Sequence, residues 1–560
     1  MFGFDIIVNR NNSNFSGGGI FYKNISCINH FIHKFEKDKL FNETDDYIII
    51  LDGVVLNRIA LQEKHNQKTW FNTIIYLYEN GGETFFSSFR GSFAGALFDK
   101  KVNKWIIFSD QLGTKFVYYC KVGNFFCCSE VMGNLYNLLR ENGVNYNLDS
   151  VGARMLLSYG FMLEDITLCK EIKKIRPGRY IVLEDGVLTE HIYYSLSNKS
   201  NYNISENDAI ENIDKLFRQA VDRQFKKDIE YNYEHLCALS AGLDCRMTSF
   251  VAHSMGYIHQ TNITFSQSGY YDDWVSKNMA TDLGHDWIFK TLDYGNWLMD
   301  VDEVNKTTGG NVLYYGTAHG NSLLKNLNFL RYGILHSGQL GDVTIATHSK
   351  TNEEPFILGD GAYSKDMVEI LKQHIKIEYP NKELGLWYCR YLNGTNNGQQ
   401  NEYNYTETVS PFLDLDFLEY ALSIPTEMRH NHYLYKKWIV KKYPHAANYI
   451  WTGMNDKISA KTIRFRENEY SIKEFCKKVL NTVLHKKNHY WDSKFNMNPV
   501  GYYIRQNKEL LSQIKEYQMY ASAISDDSLK KEIDRIFQNN NSIELIQLHT
   551  LMSAIKLFFI

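Results

Sequence analysis

The chain of 560 residues contains no apolar run approaching the ~20 residues that carry a helix across a bilayer, which argues against a membrane partner. It has no excess of positive charge: 61 Lys and Arg stand against 64 Asp and Glu, a net charge of −3. Without a basic footprint, nucleic acid is not expected as a partner. There is no CxxC pair among the nine cysteines, and their number is odd. They fall mostly in apolar contexts and read as core thiols of a reducing cytoplasm. The opening "MFGFDIIVNRNNSNF" lacks a basic stretch followed by an apolar one, so no secretory leader is expected. No internal repeat is present, and the asparagine richness is compositional. What is present, 44% apolar and 22% charged residues, suffices for a large core. At roughly 150 residues per domain, the length allows several domains or two large ones. The expectation is a cytoplasmic, two-domain protein, with a homo-oligomer permitted.

The apolar pattern changes once along the chain. Up to about residue 195, short runs such as "FDIIV" and "YIIILDGVVL" are broken by turns. Alternation around "DKKVNK" and "KVGN" predicts hairpins, hence antiparallel sheets, with a few helices such as one over 70–80. The polar stretch "SLSNKSNYNISEND" reads as a linker before a helix capped near Ser205. Beyond it, strand-like "HLCALS", "IHQTNITFS", "HDWIFKTL" and "RYGILHSG" alternate with helical segments. That alternation predicts a parallel sheet covered by helices. From "ISAKTIRFRENEY" to the end the chain reads as helical, a C-terminal extension.

Two turns in the second half carry candidate chemistry. "LSAGLDCRM", Leu239 to Met247, follows one apolar strand, and "LHSGQLGDV", Leu335 to Val343, follows another. Ligands of a doubly wound sheet bind beyond the carboxyl ends of its strands. A loop entering a helix there is a ready anion site. Gly242 is expected to take an unusual backbone conformation that lets an anion approach. Asp244 is a candidate magnesium ligand, because Mg²⁺ favours one or two carboxylates plus phosphate oxygens. The competing interpretation is a helix cap, for which Ser and Asp are common residues. A second strand ending in Ser-Gly and Asp342 favours the phosphate loop.

In this order, "LSAGLDCR", "HSGQLGD" and "TETVSPFLDLDFLEYALSIP" resemble the synthetase domain of the asparagine synthetase family. That family's loops read Ser-Gly-Gly-x-Asp-Ser and Ser-Gly-Glu-Gly-x-Asp-Glu, followed by Pro-Phe-Leu-Asp. "FRGSFAGALFDKKVNKWIIFSDQLGTKFVYY" resembles its amidotransferase domain, and "IKKIRPGRYIVLEDG" its domain junction, so the likeness runs from near residue 1 to about 457. The implied architecture is α/β overall. An N-terminal α+β antiparallel-sheet domain of the Ntn-hydrolase-like amidotransferase type spans 1–195, and an adenine-nucleotide-binding synthetase domain with a parallel sheet spans 206–560. The implied chemistry needs ATP and Mg²⁺. A small-molecule or peptide carboxylate attacks the α-phosphate, and an amine or ammonia then displaces AMP. Backbone donors and a metal suit a leaving pyrophosphate better than a covalent nucleophile does. Asp244 and Asp342 would hold the metal. Ser240, Gly242 and Cys245 would line pyrophosphate, with Ala241 and Leu243 completing that loop. Ser337 and Gly338 would face the adenylate, and Ser266 is a further nucleotide candidate.

Departures from the family pattern refine this. Cys245 replaces a serine, and a thiol is the poorer hydrogen-bond donor. Gln339 replaces a glutamate, and an amide can orient an incoming amine without taking its proton. The family's late lysine has Met454 in its place, with Lys457 three residues on, either a substitute or a solvated surface lysine. In the front domain the resemblance implies a cysteine at position 2, whose thiol attacks glutamine while its α-amine acts as base. Phe2 stands there, and Cys27 cannot supply an α-amine. The oxyanion-hole Asn-Gly appears as Asp52-Gly53, where a carboxylate would repel a developing oxyanion. Val54 replaces the following glutamate, and no arginine lies between 25 and 40. The domain is expected not to hydrolyse glutamine, as in the β-lactam synthetases and lasso-peptide cyclases of this family.

Other signals are weaker. His430 and His432 in "RHNHY" lack further ligands at metal spacing and read as solvent-facing. "SGGGI" at Ser16 reads as a turn. "YDDWVSKNMATDLG" reads as a helix capped by Asp272, with Trp274 and Met279 in the core. Pro411 and Phe412 read as building the sheet edge, and Arg390 and Glu407 are substrate candidates. Val409 stands where the family commonly has arginine, so the acid pocket is expected to differ. The reading is an AMP-forming amide synthetase with an inactive amidotransferase domain. The alternatives are an ammonia-dependent asparagine synthetase and a catalytically dead nucleotide-binding or regulatory homologue.

Overall fold

Residue Tyr47 opens a nine-residue strand, Tyr47–Val55, that is buried throughout. Its side chains explain the unbroken apolar run. Ile48 and Ile50 face a second sheet, while Tyr47, Ile49 and Leu51 face helix Trp70–Gly81 and its neighbours. A strand covered on both faces cannot alternate apolar with polar. The structure, a computed structural model, describes residues 2–9, 18–364, 367–465, 468–483, 493–539 and 541–560. Its front half holds two six-stranded antiparallel sheets. One runs, edge to edge, Ile172–Lys174, Tyr118–Val122, Phe125–Ser129, Phe4–Val8, Ile25–Asn29 and Gly19–Tyr22. The other runs Val187–Ile192, Arg179–Glu184, Lys104–Ser109, Gly91–Asp99, Tyr47–Val55 and Leu40–Glu43. Both expected hairpins form, Gly91–Asp99 with Lys104–Ser109 and Tyr118–Val122 with Phe125–Ser129. The turn expected at Ser16 lies outside the described residues.

The cap at Ser205 also forms. Its hydroxyl accepts the Asp208 N–H at 3.2 Å and starts the long helix Glu206–Glu230. That helix lies over a five-stranded parallel sheet ordered Asp286–Thr291, Gln260–Ser266, Glu234–Ala238, Tyr332–His336 and Thr408–Val409. In chain order these are strands 3-2-1-4-5. The order reverses between Glu234–Ala238 and Tyr332–His336, which pair directly. A crevice opens at such a reversal, because the connections leave toward opposite faces.

The C-terminal extension begins with a hairpin, Thr462–Phe465 with Asn468–Ser471, and not with the expected helix. Helices follow, and the last, Ser542–Phe558, is buried along most of its length. Phe558 stacks on Tyr136 of the front half, with centroids 4.2 Å apart. The extension therefore completes a core shared with helices Met132–Glu141 and Ser150–Tyr159. All nine cysteines are free. Seven are buried, but Cys245 is half-buried and Cys476 exposed, so the core-thiol expectation fails for those two. Among the described residues, no helix is long and apolar enough to cross a membrane.

Candidate active site at the switch point of the parallel sheet

The two Asp-bearing turns leave the two strands that flank the reversal, so the fold brings them face to face. Asp244 opens helix Asp244–Ser254, whose first-turn N–H groups have no partner four residues back. Asp244 Oδ2 accepts the backbone N–H of Asp342 at 3.0 Å, and Oδ1 accepts the Tyr435 hydroxyl at 2.9 Å. Thr248 Oγ1 donates to the Ser337 carbonyl at 3.2 Å, tying the first helix to the second loop. The approach needs small residues. A Cβ on Gly341 would stand 2.6 Å from Asp244 Cγ, and one on Gly338 would collide with the Cys245 amide. Gly242 differs from expectation: its φ is not in the positive range. A Cβ there would meet only Ser240 Oγ, at 3.1 Å. The residue with the unusual backbone is Leu340, φ 64°, at the family's second glycine. The left-handed region costs a branched side chain of order 1–3 kcal/mol.

Electrostatics mark the same spot. Burial, then the like charge of Asp342, pushes the Asp244 carboxyl well above the usual carboxylate range. Asp342 opens to solvent at the mouth of the cleft. The protein crowded around it raises its carboxyl too, while His348 and Arg390 nearby pull it back. Two carboxylates held together against their own repulsion are a donor set that a divalent cation suits, and hard oxygen donors suit Mg²⁺. Burial, reinforced by Asp244, pushes the Cys245 thiol up to about 12, so it stays a neutral donor. Cys245→Ser is therefore expected to leave nucleotide turnover equal or faster, as pyrophosphate exchange into ATP would show. A clear loss would remove Cys245 from the phosphate-binding set.

The remaining residues divide. Ser240 Oγ accepts the Gly242 N–H at 3.2 Å, closing the turn. Leu243 points into the core. The N–H of Ala241 is taken by Asp272 Oδ1 at 2.7 Å. Ser337 Oγ donates to the Val409 carbonyl at 3.2 Å and accepts from Gln399 Nε2 at 3.0 Å. Gln339 Nε2 is held by the Thr395 carbonyl at 2.7 Å. Ser266 ends its strand at the same edge, but its hydroxyl donates to the Gln267 carbonyl. Lys457 is exposed on the hairpin Ile450–Trp451 with Asp456–Lys457. Among the described residues, its ammonium forms no hydrogen bond or ion pair with Asp244 or Asp342. Arg390 Nη1 donates to the Gly361 carbonyl at 2.7 Å. Glu407 does not face this cleft. It is 1% exposed and pairs with Lys39 and Lys115 of the front half.

Three expectations are corrected. Asp272 is not a helix cap: Tyr270 precedes helix Tyr271–Leu283, and Asp272 bonds into the first loop. Trp274 is 39% exposed, whereas Met279 is buried as expected. His430 and His432 are half-buried and not solvent-facing. His430 Nδ1 meets the Ser349 carbonyl at 3.1 Å, and His432 packs between Tyr435 and Trp451. Burial holds the His432 imidazole down at about 4. The sequence reading also missed Arg246, which is wholly buried. Its guanidinium donates to the carbonyls of Ala241 (2.8 Å), Ala446 (3.0 Å), Tyr449 (3.2 Å) and Ile450 (2.7 Å). It fixes the first loop to the segment that leads to Lys457. An arginine directly after the Asp-Cys pair was its only signal.

Burial pushes the Asp272 carboxyl to about 6, against the pull of the Ala241 amide. Asp272→Leu is expected to destabilise by about 1–3 kcal/mol, by leaving a buried amide unpaired. It should also weaken Mg-ATP binding, whereas Asp272→Asn keeps an acceptor and should restore both. Thermal unfolding and Mg-ATP titration of the two variants check this. Leucine and parent behaving alike would show that the bond is incidental.

The glutamine amidotransferase domain family matches residues 33–194. An asparagine synthetase of Methanocaldococcus jannaschii, glutamine-hydrolysing by name, is 26% identical over 279 residues, 46% of this chain and 52% of that protein. Asparagine synthetase 3 of Bacillus subtilis is 27% identical over 280 residues, 47% of this chain and 42% of that protein. Asparagine synthetase B of Escherichia coli is 22% identical over 220 residues, 38% of this chain and 33% of that protein. The matched part spans about half the length of these curated relatives, or less. The front half is similar to the glutamine amidotransferase domain family, and about half of the chain is similar to these three asparagine synthetases.

Proposed function

We propose that the chain is an ATP-dependent, AMP-forming amide synthetase that takes its nitrogen from ammonia or a substrate amine and not from glutamine. One observation carries the reading: the two Asp-bearing loops meet at the switch point of a parallel sheet, Asp342 N–H to Asp244 Oδ2 at 3.0 Å. In this reading a substrate carboxylate oxygen attacks the α-phosphorus of ATP, the bond to the β-phosphate oxygen breaks, and pyrophosphate leaves. The nitrogen lone pair of the amine then attacks the acyl carbon, AMP departs with the carbon–oxygen electron pair, and the nitrogen loses a proton. Mg²⁺ held by Asp244 and Asp342 would neutralise charge on the leaving pyrophosphate. The chain's own work is positional. The first-turn amides of helix Asp244–Ser254 and the Cys245 thiol face the phosphates. Arg246 and Asp272 hold that loop in shape, and Gln339 orients the amine without accepting its proton. Val409, whose carbonyl accepts both the N–H and the hydroxyl of Ser337, alters the acid pocket relative to the family. That favours an acid other than aspartate.

The absence of glutamine use rests on the front domain. Phe2 is buried against Tyr403, with centroids 5.6 Å apart. Asp52 is buried with Lys39 at 2.9 Å and with Lys115. A cavity of about 30 Å³ lies at the interface, lined in part by Ser92, Thr114, Gln399, Val409 and Ser410. Incubation with glutamine is expected to release no glutamate above a no-enzyme control. Glutamate release tracking the protein through purification would overturn this part. For the synthetase itself, a panel of carboxylic acids with ammonium should yield AMP and pyrophosphate with at least one acid. ADP and phosphate as products would overturn the adenylation step.

A further inference from the structure

Five ionisable side chains, almost wholly buried, meet where the two halves of the chain touch: Lys39, Asp52, Lys115, Glu130 and Glu407. Four come from the antiparallel sheets and their loops. Glu407 comes from the edge of the parallel sheet. Lys39 Nζ lies 2.9 Å from Asp52 Oδ1 and 2.9 Å from Glu407 Oε1. Lys115 Nζ pairs with Asp52, with Glu407 Oε2 at 3.2 Å and with Glu130 Oε2 at 3.7 Å. Phe2 lies beneath, its ring centre 5.7 Å from the Lys115 ammonium. The charges balance. Burial works against Asp52, but the two lysines hold its carboxyl below the usual range. Burial and the charge of Asp52 push the Glu130 carboxyl well above it, toward its uncharged form. Two ammonium groups then face two carboxylates, one carboxylate from each half of the chain.

Glu407 is also the residue by which this network reaches the nucleotide loops. Its carbonyl accepts the Leu335 N–H at 2.9 Å, and two residues on, the Val409 carbonyl accepts the Ser337 N–H at 2.9 Å. Thr408 Oγ1 donates to the Leu335 carbonyl at 3.2 Å. The strand Thr408–Val409 has only two residues, so its ladder alone is weak support for the edge on which Ser337 hangs. The carboxylate of Glu407, clamped by Lys39 and Lys115, supplies the missing anchor.

We infer that Glu407 is a positioning residue for the nucleotide site: the front domain holds it through Lys39 and Lys115, and it holds the Ser337–Asp342 loop in place. This rests on the reading of the two loops as that site. It gives a domain without a glutaminase nucleophile a continuing task, the placement of the second loop.

Two double variants separate positioning from mere stability, because each leaves one neutral ion pair in the same core. Glu407→Gln with Lys115→Met leaves Lys39 opposite Asp52 and frees the sheet edge from its ionic clamp. Asp52→Asn with Lys115→Met leaves Lys39 opposite Glu407 and keeps that clamp. The measurements are thermal unfolding and the dissociation constant of Mg-ATP for each full-length variant. Both should lose a similar amount of thermal stability. Only the Glu407 variant should bind Mg-ATP more weakly, by roughly tenfold, the usual order of coupling between sites. Equal Mg-ATP affinity in the two variants would overturn the inference, whatever their melting temperatures. If either double variant fails to fold, Lys39→Met replaces the pair. It releases Glu407 from its closer lysine, and parent-like Mg-ATP affinity in that variant would also overturn the inference. A parent chain that binds no Mg-ATP would instead refute the nucleotide-site reading itself.

Discussion

Asp244→Asn is expected to lower magnesium-dependent exchange of pyrophosphate into ATP by roughly two to three orders of magnitude, if its electrostatic contribution resembles that of an oxyanion donor. The same variant should unfold at an equal or higher temperature than the parent. The two outcomes have one cause. The Asp244 carboxyl is raised by burial and by Asp342, so its ionised form is disfavoured in the folded protein without a cation. Asparagine keeps one oxygen to accept the Asp342 amide, and its NH2 can donate to the Tyr435 hydroxyl oxygen, while removing the charge relieves the repulsion. Natural sites retain such repulsion where function needs it. Asp342→Asn should lose exchange similarly, and the double variant little more than either single one, if both carboxylates serve one cation as proposed. Exchange is measured with the carboxylate that supports AMP formation in the acid panel. Parent-like exchange in Asp244→Asn would reduce the loop to a turn between core elements and favour a binding or regulatory role.

Lys115→Met is expected to cost about 3–5 kcal/mol of stability, the usual loss on removing one partner of a buried ion pair. Lys115 is 1% exposed and faces Asp52, Glu407 and Glu130 together. Its removal leaves one ammonium, Lys39, between Asp52 and Glu407. Hydrophobic burial of the methionine offsets little, because the desolvated charges left behind dominate. Surface pairs in the same protein give the contrast. Lys101 with Asp46, 2.9 Å apart and largely exposed, should matter far less, because water screens the pair. Denaturant unfolding of Lys115→Met and Lys101→Met checks both. A Lys115→Met protein as stable as the parent would show that the buried network contributes no net ionic stabilisation.

The strands and the two loops were legible because their signals are local. Apolar runs, hairpin turns and Ser-Gly…Asp spacing each lie within a dozen residues. The role of Glu407 was not, because its partner Lys115 lies 292 residues away in sequence and Lys39 farther still. A glutamate beside a phosphate-loop motif then reads naturally as a substrate contact. Asp272 misled for a similar reason. An aspartate at the start of a helical pattern is usually a cap, and only the parallel pairing of Glu234–Ala238 with Gln260–Ser266 brings it to the Ala241 amide. Gly242 follows a motif without needing a positive φ, while Leu340 adopts one without being glycine. Backbone conformation at these turns follows from how closely the two loops approach, and that distance is not written in either loop alone. His432 was misread because its aromatic neighbours, Tyr435 and Trp451, enclose it from two separate segments.

Titration of the full-length protein with ATP, in magnesium and again with magnesium chelated, tests the switch-point site most directly when parent and Asp244→Asn are compared. The parent should bind ATP with magnesium and at least roughly tenfold more weakly without it, as about 1.4 kcal/mol of metal-mediated attraction would give. Asp244→Asn should bind weakly in both conditions, with little difference between them. ATP binding by the parent that is indifferent to magnesium, or magnesium-dependent binding that survives in Asp244→Asn, would contradict a metal-nucleotide site built on Asp244 and Asp342.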